Sequence, residues 1–181
     1  MECWEIIFVI TIMNDKYREE IVKENLQVAR KSYVSTRPGF NAGQFYADKF
    51  NLCWISFDAY ICSEFPNRFI GTRMADFIEQ FEEWYESNYP NGFSSRFRES
   101  IEIISKLTVE DMNPDTNKPP ISINEKNKLK DVLNVVYRIR CNLEHCGKKM
   151  SEYKNLVLVE NSFYILYELL EKICAKENIV F

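Results

Sequence analysis

The last helical pattern in the chain constrains the fold most strongly. In the segment SEYKNLVLVENSFYILYELLEKICAKEN, residues 151–178, apolar side chains recur every three or four positions and form one broad stripe. The stripe consists of Leu156, Val159, Phe163, Leu166, Leu169, Leu170 and Ile173. A helix with such a face must bury it against other elements, which predicts a helical bundle.

The preceding segments show the same helical spacing. They cover residues 15–35, 48–65, 71–88, 94–107 and 124–145. Prolines and glycines separate them, as expected at helix ends. The run IIFVITIM, residues 6–13, is too short for its periodicity to distinguish a strand from the first turns of a helix. The pattern predicts an all-α fold with long C-terminal helices, in one domain covering residues 1–181.

The segment TVEDMNPDTNKPPIS, residues 108–122, is the longest stretch without helical spacing. Its Asn-Pro and Pro-Pro pairs exclude a helix through the middle. A loop of this length is unusual in a compact domain, so it is a candidate substrate or partner element.

Charge and cysteine content indicate the environment. The net charge of −4 argues against a protein coated in basic surface, although it permits a local basic patch. The six cysteines are scattered, no secretion signal is visible, and the longest apolar run has only eight residues. A membrane span needs about 20 apolar residues. We therefore expect a soluble cytoplasmic protein with free, mostly buried cysteines and no membrane association.

An arginine interrupts the apolar stripe of the segment 124–145. Leu129, Leu133, Val136 and Leu143 share one face of the helix, and Arg140 is predicted to lie in the middle of that face. A guanidinium stays charged and is costly to bury alone. Arg140 therefore needs a carboxylate such as Asp58 or Glu160, a subunit interface, or a cavity that receives an anion.

The string RCNLEHCGKK around this arginine also contains His145, the only histidine of the chain. Arg140, Asn142, Leu143, His145, Gly147 and Lys148 match the pattern R-x-N-L-x-H-x-G-K. This pattern resembles the signature of the HEPN superfamily, the all-α domains of prokaryotic ribonucleases, toxins and defence proteins. The match covers about ten residues. The aromatic, acid-containing segment YADKFNLCWISFDAYI, residues 46–61, is similar in character to the second element of many such domains.

The resemblance implies a HEPN-like helical bundle with metal-independent endoribonuclease activity and no cofactor. A ribose 2′-hydroxyl would attack the adjacent phosphate, leaving a 2′,3′-cyclic phosphate. His145 would act as general base or acid and Arg140 as the phosphate clamp. Asn142 would orient the imidazole or hydrogen-bond a phosphate oxygen. RNA would be the substrate, and the protein would serve as a toxin, with an antitoxin as a possible partner, or as a phage-defence effector.

The spacing of the motif bears on the oligomeric state. Residues five apart on an α-helix are about 140° out of phase, so Arg140 and His145 would point apart. Either the helix ends before His145, or the two groups meet across a dimer. The resemblance implies the second arrangement, a twofold homodimer through the last two helices.

Local charge is compatible with an anionic ligand. Residues 124–154 contain eight basic and four acidic residues, among them the predicted RNA-binding residues Arg138, Lys148 and Lys149. Such lysines also commonly cover an ordinary exposed helix face. Glu144 departs from the family pattern, since many relatives have an apolar or aromatic residue at this position. A carboxylate beside His145 would raise the pKa of the imidazole or repel RNA phosphate.

Two alternatives compete with the nuclease. Cys141, His145 and Cys146 could suggest zinc, but no second ligand pair has the spacing of a zinc finger, so no metal is expected. The second alternative is a non-catalytic HEPN-like dimeric binding or scaffold module, in which Arg140 and His145 are structural.

Overall fold

The computed structural model of the protein describes residues 42–65, 69–112, 118–145 and 153–177. The helices of these residues are α1 (Ala42–Glu64), α2 (Ile70–Asn88), α3 (Ser95–Ser105), α4 (Leu129–His145) and α5 (Tyr153–Lys176). In this described part the only β pairing is an isolated bridge between Val109 and Ile121. The all-α prediction is therefore confirmed. The predictions for residues 6–13 and 15–35 lie outside the described residues.

The predicted apolar stripe of α5 is the centre of the described bundle. α5 packs mainly against α1 and α3 and also contacts α4, while α4 packs against α2. Val159, Leu166, Leu169, Leu170 and Ile173 are fully buried. Burial of a Leu or Ile side chain contributes roughly 1.5–3 kcal/mol, so this face contributes strongly to folding.

Aromatic side chains join α1 to α2. The Phe77 ring lies edge-on to the Phe57 ring with 5.0 Å between centroids, and it stacks on the Phe81 ring at 4.7 Å. All three side chains have no exposed surface. The i, i+4 spacing of Phe77 and Phe81 places both rings on one face of α2, which α1 covers.

Helix α4 begins later than its sequence predicts. The sequence pattern predicts its start near Asn124, whereas the helix starts at Leu129. The carboxylate of Glu82 on α2 accepts hydrogen bonds from the Leu129 and Lys130 amides, at 3.0 and 3.1 Å. These contacts cap the helix at that point, because they satisfy amides that have no partner inside the first turn.

The residues before α4 form a turn instead of a helix. The Asp131 carboxylate accepts hydrogen bonds from the amides of Asn124 and Glu125, at 3.2 and 3.0 Å. This carboxylate therefore stabilises a non-helical arrangement of the five residues that the prediction assigned to α4.

The irregular segment between α3 and α4 is closed at its base. The Val109 and Ile121 backbones exchange two hydrogen bonds of 2.8 and 2.9 Å, and the Val109 side chain is buried. The segment therefore leaves and re-enters the bundle at nearly the same place. None of the described helices combines the length and the apolar character that crossing a lipid bilayer requires.

Candidate functional site

The predicted motif occupies the last two turns of α4. Arg140 and Asn142 are described in full, and His145 is the last residue of the helix, with only its backbone described. Lys148 and Lys149 lie outside the described residues. Because α4 includes His145, the expectation that the helix ends before it is not met. The positions of Arg140 and His145 therefore lie about 140° apart around the axis of α4.

Arg140 lies on the apolar face of α4 and is itself half-buried. Leu129, Leu133 and Val136 of the predicted stripe are fully buried, and Leu143 packs against the core. At about 100° per residue, the position of Arg140 falls between those of Leu133 and Val136, as its spacing predicts.

An aromatic platform supports the Arg140 guanidinium. The guanidinium carbon is 5.5 Å from the centroid of the Trp54 ring. Trp54 in turn stacks on Tyr137 with 5.6 Å between centroids and 29° between planes. Burial first, and then the Cys141 thiol, raise the pKa of Tyr137 to about 12. Tyr137 is therefore neutral near pH 7, which excludes it as a general base there.

The acids considered as partners of Arg140 have different roles. Glu160 pairs with Arg96 on α3, with 3.0 Å between Oε1 and Nη2. Asp58 lies close enough for the charge of Arg140 to act on it, but within the described residues it makes no direct ion pair with this arginine. Of the two carboxylates considered, Glu160 is therefore paired with Arg96, and Asp58 is an electrostatic neighbour of Arg140.

Three α1 residues spaced four apart form a row beside the motif: Trp54, Asp58 and Cys62. The Cys62 thiol is 3.9 Å from the Asp58 Oδ1 atom and also contacts the Arg73 guanidinium of α2. The row thus has Arg140 at its Trp54 end and Arg73 at its Cys62 end. Sequence reasoning missed Arg73, because its proximity depends on how α2 packs and no local motif marks it.

Burial controls the protonation of Asp58. Burial raises the pKa of Asp58 above its ordinary value, and the positive charges of Arg73 and then Arg140 oppose that increase only in part. Because the net shift is upward, the ionised carboxylate is less favourable in the folded protein than in the unfolded chain.

Asp58→Asn is therefore expected to gain stability relative to wild type as the pH rises. The raised pKa of Asp58 stabilises the folded wild-type protein below about pH 3.9, the ordinary pKa of Asp. This stabilisation is lost as the pH rises through the higher pKa that Asp58 has in the folded state. Denaturant unfolding of both proteins between pH 3.5 and pH 7 measures the difference. A difference that is independent of pH would contradict this account.

Asn142 links the motif to the segment before α4. Its Nδ2 donates to the Glu110 carbonyl oxygen at 2.7 Å, and its Oδ1 accepts from the Met112 amide at 3.1 Å. The residue is only 2% exposed. These contacts support a positioning role, and they do not support the predicted role of Asn142 toward the imidazole or a phosphate.

Replacement of Asn142 by alanine should therefore destabilise the fold by about 2–3 kcal/mol, because it leaves backbone groups of Glu110 and Met112 without partners. Hydrogen exchange at the Met112 amide should become faster. Asn134→Ala is the matched control, since Asn134 is exposed on the same helix. Its expected change is within about 0.5 kcal/mol. Equal losses in the two variants would be inconsistent with the role given to Asn142.

Arg138 holds the same segment. Its guanidinium lies 3.7 Å from the Asp111 carboxylate and donates to the Pro119 carbonyl oxygen at 3.4 Å. The side chains of Arg138 and Asp111 are only 14% and 7% exposed, so solvent screens this pair weakly. Arg138 thus contacts the protein itself, which does not support its predicted role in RNA binding.

The basic patch predicted along residues 124–154 is largely paired in the described residues. Lys126 contacts Glu102 of α3, and Lys128 contacts Glu86 of α2. Lys130 and Lys154 are exposed. The local excess of positive charge is therefore smaller at the surface than the residue count indicates.

A small cavity lies beside Asn142. Its volume is about 170 Å³, and its lining includes Glu110, Met112, Lys154, Asn155 and Leu158. Among the described residues no group of histidine, cysteine and carboxylate side chains is arranged to hold a metal ion.

Comparison with known proteins leaves the family open. No family model matches the chain, and neither a curated protein nor a solved structure matches it. The assignment of a function therefore depends on the motif and on the geometry around Arg140.

Proposed function

We propose that the protein is a HEPN-type, metal-independent endoribonuclease that acts as a homodimer, in the role of a toxin or phage-defence effector. Arg140 would bind the scissile phosphate, and His145 would transfer the proton of the ribose 2′-hydroxyl. The cleavage would leave a 2′,3′-cyclic phosphate and a 5′-hydroxyl.

One observation carries this proposal: the Arg140 guanidinium is half-buried over Trp54 at the end of α4. A permanent charge held on an aromatic platform at the edge of a bundle is suited to contact an incoming phosphate. Arg140 also lies near the C-terminal end of α4, shortly before the residues that connect α4 to α5.

The dimer is supported by the helical phase of the motif. Since the positions of Arg140 and His145 lie about 140° apart on one helix, a single protomer does not place both on one face. A twofold axis near the ends of the last two helices would bring the Arg140 of one protomer toward the partner's His145.

Incubation of the purified protein with single-stranded RNA and a metal chelator tests the activity. Cleavage with a 2′,3′-cyclic phosphate end, and none of DNA of the same sequence, is the expected result. Cleavage that depends on added metal, or no RNA cleavage by the purified dimer, would exclude the proposed mechanism.

A second candidate is the non-catalytic HEPN-like scaffold, and a specific observation favours it. Asn142 and Arg138, two polar residues of the motif region, are both engaged in holding the segment 108–122. In that case the motif would stabilise the end of α4, and replacement of His145 would change no activity.

A further inference from the structure

The cavity beside Asn142 lies where the segment after α3, the end of α4 and the start of α5 meet. Its volume is about 170 Å³. A water molecule takes up about 30 Å³ in the liquid, and pockets for drug-sized ligands begin at about 300 Å³. The cavity is therefore suited to one small ring system and not to a larger molecule.

The walls of the cavity combine apolar surface with hydrogen-bonding groups. Met112 and Leu158 supply apolar surface, and the carboxamides of Asn142 and Asn155 belong to buried residues, 2% and 7% exposed. A carboxamide has two donor hydrogens and two acceptor lone pairs, and the contacts of Asn142 with the Glu110 and Met112 backbones use one of each. Such walls suit a ligand with flat apolar faces and a polar edge, which is the character of a nucleobase.

The cavity lies on the side of α4 that carries His145. Asn142 and His145 are three residues apart, so their positions are neighbours on the helix, about 60° apart in phase and about 4.5 Å apart along the axis. Arg140, by contrast, is about 160° from Asn142 around the same axis. In the proposed function His145 transfers the proton of the ribose 2′-hydroxyl, so a base held in the cavity would belong to that same nucleotide.

A positive charge lies at the same place. The Lys154 side chain of α5 is exposed and lines the cavity. A base in an RNA strand is joined through its ribose to phosphates on both sides. A lysine beside the cavity therefore suits the same ligand as the cavity itself.

We infer that this cavity binds one nucleobase of the RNA strand, from the nucleotide whose 2′-hydroxyl reacts. The inference rests on the proposed function and deepens it, because it names the part of the RNA that sets specificity. The base packs against Met112 and Leu158, and its edge hydrogen-bonds with the carboxamides that line the cavity. Lys154 contacts an adjacent phosphate.

Binding measurements with two kinds of probe test the site separately from cleavage. The first kind is a fluorescent 2′-O-methyl RNA hexanucleotide of each single base, which cannot be cleaved through its 2′-oxygens. The second is a backbone of the same length without bases. Thr108→Phe fills the cavity, because Thr108 is exposed and lines it. Thr72→Phe is the matched control, since Thr72 is exposed on α2 and is not part of the lining.

Thr108→Phe should weaken binding of the tightest hexanucleotide about tenfold, which is the typical contribution of one base held by a protein. It should change binding of the backbone without bases less than about twofold, because that probe has nothing to place in the cavity. Thr72→Phe should change the affinity of either probe less than about twofold. If Thr108→Phe weakens both probes equally, or neither of them, the inference is overturned.

A measurement on the wild-type protein covers the case in which Thr108→Phe does not fold. The ε-methyl signal of Met112, assigned with a Met112→Leu variant, should shift in ¹H–¹³C spectra when the tightest hexanucleotide is added, because a base ring would lie against it. The backbone without bases should leave this signal in place. Equal shifts with the two probes, or no shift with either, would overturn the inference. A shift that needs the base, together with no cleavage of ordinary RNA, would retain the base site and remove the nuclease.

Discussion

RNA cleavage is expected to fall at least about a hundredfold when His145 or Arg140 is replaced by alanine. A general acid or base typically contributes about 10²–10⁴-fold, and a group that stabilises developing charge contributes about 10²–10³-fold. The initial rate of cleavage of one labelled RNA in the presence of chelator measures both effects. Circular dichroism and thermal unfolding should show that both variants remain folded.

The control for this experiment is Lys130→Ala, which removes an exposed charge from the same helix. Its cleavage rate should stay within about twofold of wild type, since an exposed charge far from the motif contributes little. If His145→Ala cleaves as fast as the control, the scaffold candidate is favoured over the enzyme.

Mixed dimers then test whether the site is shared between protomers. The two alanine variants, each inactive alone, should recover activity when they are co-expressed. A heterodimer would combine the intact Arg140 of one protomer with the partner's intact His145, which forms one complete site. With random pairing, roughly a quarter of the wild-type activity is expected. Recovery of no activity would contradict a site shared in this way.

The largest expected loss of stability follows from truncation of Phe77. The ring is completely buried between Phe57 and Phe81 and also meets Tyr60 edge-on at 6.2 Å. Phe77→Ala should therefore lower the free energy of unfolding by about 3–5 kcal/mol, because it leaves a cavity between α1 and α2. The corresponding decrease in Tm is roughly 10 °C for a chain of this size.

Ile55→Ala is the matched control on α1, where the Ile55 side chain is 46% exposed. Its expected effect is within about 0.5 kcal/mol. Denaturant unfolding of both variants gives the comparison. A loss below about 1 kcal/mol for Phe77→Ala would mean that the contact between α1 and α2 is not a principal part of the core.

The helices could be predicted from the sequence because their apolar residues recur with the helical period. The apolar stripe predicted for α5 contains Val159, Leu166 and Ile173, and all three are buried. The start of α4 could not be predicted, because the Glu82 carboxylate that caps it lies 47 residues earlier in the chain. A cap supplied by another helix leaves no local signal.

Only the motif residues of the candidate site could be predicted from the sequence, and their contacts with other helices could not. Arg140 can be identified because a charge within an apolar stripe needs a partner. Its contact with Trp54 and the approach of Arg73 depend on the packing of α1 and α2, which spacing within one helix does not specify. The hydrogen bonds of Asn142 depend likewise on the path of residues 110–112.

The bridge between Val109 and Ile121 has a practical consequence for engineering. Since Val109 and Ile121 are joined by two backbone hydrogen bonds, the number of residues between Met112 and Lys118 can change without moving α3 or α4. Variants with a longer or shorter connection there should therefore keep the helical bundle folded.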